Sequence, residues 1–137
     1  MSVGLLIVTH NLIGTELLRT ATAMLGGCPV RAEVIEVTTA CDPEAVLQLA
    51  RKKVAQLDEG GGVIVLTDMY GSTPANITQL LQHGSTHIDV ITGVNLPMVV
   101  RLLNYATLDR VQMVEKALSG GGEGIFACRP NNDEEIS

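Results

Sequence analysis

The sequence predicts an α/β fold: a doubly wound, mainly parallel sheet in strand order 2-1-3-4 with helices on both faces. Three observations lead there. Two apolar runs, Val3-Gly4-Leu5-Leu6-Ile7-Val8 and Gly62-Val63-Ile64-Val65-Leu66-Thr67, are too continuous for strands with one wet face, so both of their faces are covered. Segments of helical period separate them, which calls for crossover connections and a parallel sheet. Right-handed crossovers then leave 2-1-3-4 as the simplest doubly wound order. With 137 residues and 46 % hydrophobic content the chain can bury a core as one domain, and at 2 % aromatic residues that core must be aliphatic.

Each element has its own local reason. After the first strand, Asn11-Leu12-Ile13-Gly14 makes a loop, and Leu17, Leu18, Ala21, Met24 and Leu25 then mark one helix face that Gly26-Gly27 closes with a left-handed cap. Residues 30–37 alternate imperfectly, as an edge strand does. Asp42-Pro43-Glu44 starts the next helix with an N-cap acceptor followed by proline, and Gly60-Gly61-Gly62 ends it. Thr73-Pro74 starts a short helix carrying Ile77, Leu80 and Leu81; a fourth strand covers about 87–92. Gly93-Val94-Asn95-Leu96-Pro97 turns into a helix with Met98, Val99, Leu102 and Leu103. Thr107 is expected to cap the last helix, Gly120-Gly121-Gly122 to break it, and 124–128 to form a final short strand. The domain spans 1–129; the polar, acidic tail 130–137 is expected to be disordered.

Nine basic and fifteen acidic residues give a net charge of −6 with no large basic cluster, which argues against nucleic acid as a partner. No apolar run reaches the length of about 18–20 residues that spans a bilayer, and the start lacks a signal-peptide pattern, so a cytoplasmic protein is expected. The three cysteines, Cys28, Cys41 and Cys128, lack metal-site spacing and read as reduced, buried or idle thiols. Gly84 interrupts any helix that would pair His83 with His87 on a metal, leaving both as loop residues. Neither G-x-G-x-x-G nor G-x-x-x-x-G-K-[ST] is present, so no nucleotide site is expected. A Ser–His–Asp hydrolase lacks its G-x-S-x-G elbow.

The chemistry gathers at His10, the first polar stop after the first apolar run, and Asp68, which follows the second. In the expected strand order they flank the crevice at the switch point, beyond the carboxyl ends of the strands. A carboxylate beside an imidazole fixes the tautomer, leaves the other nitrogen as a nucleophile, and favours the cationic ring that exists while a group enters or leaves. Gly71, Ser72 and Thr73 open a helix beside the pair, where backbone N–H groups suit a phosphoryl group. The pair by itself is compatible with base catalysis, metal ligation or phosphoryl carriage.

Three motifs narrow the choice: Ile7-Val8-Thr9-His10, Leu66-Thr67-Asp68-Met69-Tyr70-Gly71-Ser72-Thr73-Pro74-Ala75-Asn76, and Gly93-Val94-Asn95-Leu96-Pro97-Met98. With them the chain resembles, over nearly its whole length, the mannose-family EIIA component of the bacterial phosphoenolpyruvate:sugar phosphotransferase system (PTS). The resemblance implies a phosphotransferase whose His10 takes a phosphoryl group on Nε2 from phosphorylated HPr and passes it to an EIIB component, with Asp68 orienting Nδ1. It implies that Thr73 stands where the family has a phosphate-contacting serine; with no nucleotide or metal signature in the sequence, neither a cofactor nor a metal is expected. It also implies a homodimer in which the strand at 124–128 pairs into the neighbouring subunit, and membrane contact only through EIIC and EIID components. Asn11 replaces a common glycine after the histidine, and Ser72 one of two glycines in the phosphate loop. Both positions are expected to need a permissive backbone, which Asn tolerates more readily than Ser. No EIIB segment follows in this sequence, so the acceptor is expected to be a separate protein. The alternative is a regulatory module whose phosphorylation is read by a partner. A carrier for dihydroxyacetone kinase fits the third motif less well.

Overall fold

Side chains alternate between the two faces of a strand, and in this chain the central strands feed a separate apolar cluster on each face. The computed structural model describes residues 2–130. Its elements in chain order are β1 (Gly4–His10), α1 (Ile13–Leu25), β2 (Ala32–Val37), α2 (Pro43–Leu57), β3 (Val63–Thr67), α3 (Thr73–Gln82), β4 (Ile88–Ile91), α4 (Leu96–Asn104) and α5 (Arg110–Glu123). All strand pairings are parallel and the order is β2-β1-β3-β4, the expected one. Leu5, Ile7, Ile64 and Leu66 pack with Ala21 of α1, Val99 and Leu102 of α4 and Met113 of α5. Leu6, Val8, Val63 and Val65 face the other way, onto Leu47 and Ala50 of α2 and Ile77 and Leu81 of α3. Every residue of β3 is buried, whereas edge strand β2 exposes Glu33 and Glu36.

Helix starts follow the local chemistry. The Asp42 carboxylate accepts from Glu44 N–H and Pro43 opens α2. Gly26, at φ 78°, closes α1 in the left-handed conformation. The cap of α5 is Asp109 and not Thr107: its carboxylate accepts from Gln112 N–H at 2.9 Å. An ionised carboxylate is the better acceptor for a helix N-terminus.

The glycines at 120–122 do not break the last helix; α5 runs through them to Glu123. Their lack of a side chain serves close packing. A Cβ on Gly120 would lie 2.4 Å from Arg101 Cβ, and one on Gly121 would lie 2.8 Å from Met98 Cε, so only glycine lets α5 approach α4 this closely. Beyond α5, residues 125–129 form no strand within the single chain, and Ile125 and Phe126 are 74 % and 73 % exposed. Most of the expected tail, 131–137, lies outside the described residues. Cys28 and Cys128 are exposed and not buried, while Cys41 is half-buried.

The triple glycine yields a paired test. Gly122 faces open space, so Gly122→Ala is expected to raise stability by about 0.5–1 kcal/mol through helix propensity. Gly120→Ala is expected to lower it by about 1–3 kcal/mol through overpacking against Arg101. Urea denaturation reads both, and shifts of the same sign would contradict this placement of α5.

Candidate active site

His10 ends β1 and Asp68 follows β3, its immediate neighbour, with Val8 opposite Thr67 in the register. The chain turns in opposite directions after these two strands, so their loops diverge and leave a crevice at the carboxyl edge. Asp68 Oδ2 accepts from the His10 backbone N–H at 2.9 Å and lies 2.8 Å from ring Nδ1, while Oδ1 accepts from Met69 N–H at 2.9 Å. Across the strand, Asn11 N–H donates to Val37 O of β2 at 3.0 Å. The histidine is thus gripped from both neighbouring strands. Asn11 has φ 49°, the left-handed conformation expected where the family commonly has glycine. The buried Thr9 hydroxyl accepts from Gly14 N–H at 2.7 Å and ties the start of α1 to the strand end. A side chain on Gly14 would collide with Ile7, so the close approach requires glycine there.

The contacts decide protonation. Burial by itself raises the pKa of Asp68, but hydrogen bonds from the His10 amide and ring and from the Met69 amide outweigh it, and the carboxyl sits below its ordinary value. An ionised carboxylate only accepts, so in the neutral ring this contact puts the proton on Nδ1 and leaves the lone pair on Nε2. Nε2 has no hydrogen-bond partner among the described residues. The side chains are 39 % exposed for His10 and 12 % for Asp68: the ring is reachable and its partner is shielded.

His10 lines a cleft of about 190 Å³ together with Val37, Thr38, Thr39, Cys41, Pro43, Thr73 and Pro74. Thr73 therefore shares the cleft with the histidine, whereas Gly71 and Ser72 are not among its lining residues. Ser72 has φ −86°, an ordinary extended conformation, so the expected need for a permissive backbone there does not arise. Its hydroxyl turns inward, donating to Met69 O and accepting from Ala75 N–H as the N-cap of α3. The permissive position is Gly71, at φ 83°. The wall from Val37 to Pro43 went unmarked among the sequence-derived candidates. The signal available for it was the position of the β2–α2 connection, which the strand order brings beside the loop after β1. His83 and His87 lie exposed near the opposite end of the sheet. Among the described residues, no helix is long and apolar enough to cross a membrane.

Comparison with known proteins bears on this arrangement. A family model described as "PTS system fructose IIA component" matches residues 4–118. The mannose-specific EIIAB component of the PTS from Escherichia coli K12 is 30 % identical over 139 residues, covering all of this chain and 43 % of that protein. The chain thus spans less than half the length of that relative. The transcriptional regulatory protein LevR of Bacillus subtilis is 32 % identical over 111 residues, 78 % of this chain and 12 % of that one. The crystal structure of a PTS EIIA component from Streptococcus agalactiae superposes with a TM-score of 0.81 at 23 % identity, covering 91 % of this chain and 96 % of that one, a likeness of fold.

The depressed Asp68 pKa has a pH signature. A carboxyl with a lower pKa in the folded than in the unfolded chain adds stability above its ordinary value, about 3.9, and loses it as pH falls through the folded value. The urea midpoint of the native protein is therefore expected to exceed that of Asp68→Asn at pH 7, and the gap to shrink as pH drops below about 4. A gap constant from pH 7 to 3 would contradict the assignment.

Proposed function

Since the chain belongs to the EIIA-man family, the IIA components of sugar phosphotransferase systems, we propose that it is a histidine phosphocarrier. His10 accepts a phosphoryl group from phosphorylated HPr and passes it to a separate EIIB component in sugar uptake. The observation that carries this reading is the Nδ1–Asp68 contact at 2.8 Å, which leaves Nε2 as the nucleophile on an accessible ring. In the forward step the Nε2 lone pair forms a bond to phosphorus as the bond from phosphorus to the donor breaks, and the donor keeps that electron pair. The His10 ring is then an N-phosphorylated cation, still protonated at Nδ1 and stabilised by the adjacent Asp68 carboxylate. Onward transfer reverses the bonds.

Thr73 offers its hydroxyl and the N-terminal amide of α3 to the phosphoryl oxygens. Gly71 shapes the turn, and Ser72 acts on the phosphate indirectly by capping the helix. Neither a metal nor a cofactor enters the reaction. We place it in the cytoplasm, meeting the membrane only through EIIC and EIID components.

Incubation with phosphoenolpyruvate, enzyme I and HPr is expected to give an acid-labile phosphohistidine that His10→Ala abolishes and whose formation Asp68→Asn slows by disturbing the ring's orientation. No label from active HPr, or label that survives His10→Ala, would contradict the carrier role.

A second reading is favoured by the likeness to LevR: phosphorylation of His10 changes the binding of a regulatory partner, and no sugar is moved. Adding candidate EIIB proteins separates the two, because label that leaves His10 supports transport and label retained with every EIIB supports regulation. Either reading includes a homodimer in which 124–128 pairs with the partner's sheet. Exposed Ile125 and Phe126 and the outer edge of β4 support it. Truncation after Glu123 is expected to yield monomers in sedimentation, and a dimer that persists would contradict the exchange.

A further inference from the structure

Asp68 lies beyond the ladder that holds β3: pairing with β1 ends at Val8–Thr67, and pairing with β4 ends at Leu66–Ile91. Its main chain is held instead by the turn after β4. Gly93 N–H donates to Asp68 O at 2.8 Å, and Val94 N–H donates to Thr67 O at 3.0 Å. Gly93 adopts φ 82°, in the left-handed region, with open space where a side chain would be. The turn has its own anchor in Asn95. Its Oδ1 accepts from Met98 N–H at 3.0 Å and caps α4, and its Nδ2 donates to Gly121 O at 3.1 Å, across to α5. Gly121 can serve only because its missing side chain lets α5 come close.

We infer that Asn95, through the turn at 93–95, is a positioning residue for the His10–Asp68 pair. It touches no reacting atom. It fixes the turn whose amide holds Asp68, and Asp68 in turn fixes the imidazole. A path thus runs from Gly121 to Asn95 by a hydrogen bond, along the main chain through Val94 to Gly93, and by hydrogen bonds again to Asp68 and His10. The kinetic part of this inference rests on the phosphocarrier reading; the structural part does not.

The test compares imidazole 15N spectra of His10 in the wild type, Asn95→Ser, Gly93→Ala and Gly84→Ala. Serine keeps an N-cap acceptor but lacks the amide that reaches Gly121. Gly93→Ala strains the turn directly. Gly84, at φ 75° and equally open, lies at the other end of the sheet, so Gly84→Ala imposes similar strain away from the path. Wild type and Gly84→Ala are expected to hold the Nδ1–H tautomer, and the other two to shift toward Nε2–H. In transfer assays those two are expected to lose about 2- to 30-fold in kcat, with KM for phosphorylated HPr unchanged. An unchanged tautomer in folded Asn95→Ser or Gly93→Ala overturns the inference, as does an equal shift in Gly84→Ala. If one variant fails to fold, the other decides. Absence of label on wild-type His10 would defeat the phosphocarrier reading, and the spectra would still decide the positioning.

Discussion

One carboxylate organises the carboxyl edge of this sheet. Asp68 takes the His10 amide and ring on one oxygen and the Met69 amide on the other. A carboxylate that shielded is costly to keep ionised unless donors surround it, and these donors hold its pKa down. The strand order matters because it makes β1 and β3 neighbours, so that two loops leaving in opposite directions start from one pair of side chains. The left-handed Asn11, the Thr9–Gly14 bond and the turn at 93–95 all act on the same few atoms.

The division of exposure suits a group that is handed from protein to protein. A buried histidine could hold a phosphoryl group but not meet a partner; a freely rotating surface histidine would meet partners without a set tautomer. Here the ring is accessible while the carboxylate behind it is shielded. The α3 N-terminus brings Thr73 into the same cleft, where the helix dipole favours negative charge.

Most of the fold was legible because its signals were local and agreed with one another. The runs at 3–8 and 62–67 read as doubly covered strands, and Asp42-Pro43 and Thr73-Pro74 as helix starts. At the site, the opposition of His10 and Asp68 followed from the strand order alone. What misled was chemistry with two meanings. A run of three glycines is a helix breaker by propensity, but where another helix must come within contact of the backbone it is the only solution, and nothing local distinguishes the cases. Ser72 read as a strained substitute for glycine because its dihedral angles depend on the turn, and the structure gives it an ordinary conformation and a capping role. Thr107 and Asp109 are both good caps two residues apart, and the carboxylate, the better acceptor, takes the role.

The central claim is that Asp68 holds Nδ1 and thereby leaves Nε2 as the reactive nitrogen of His10. Phosphorylating 15N-histidine-labelled protein and reading the phosphorus–nitrogen coupling tests it directly. Coupling to Nε2 of His10 is the predicted result. Coupling to Nδ1, or phosphorus on any other residue, would contradict it.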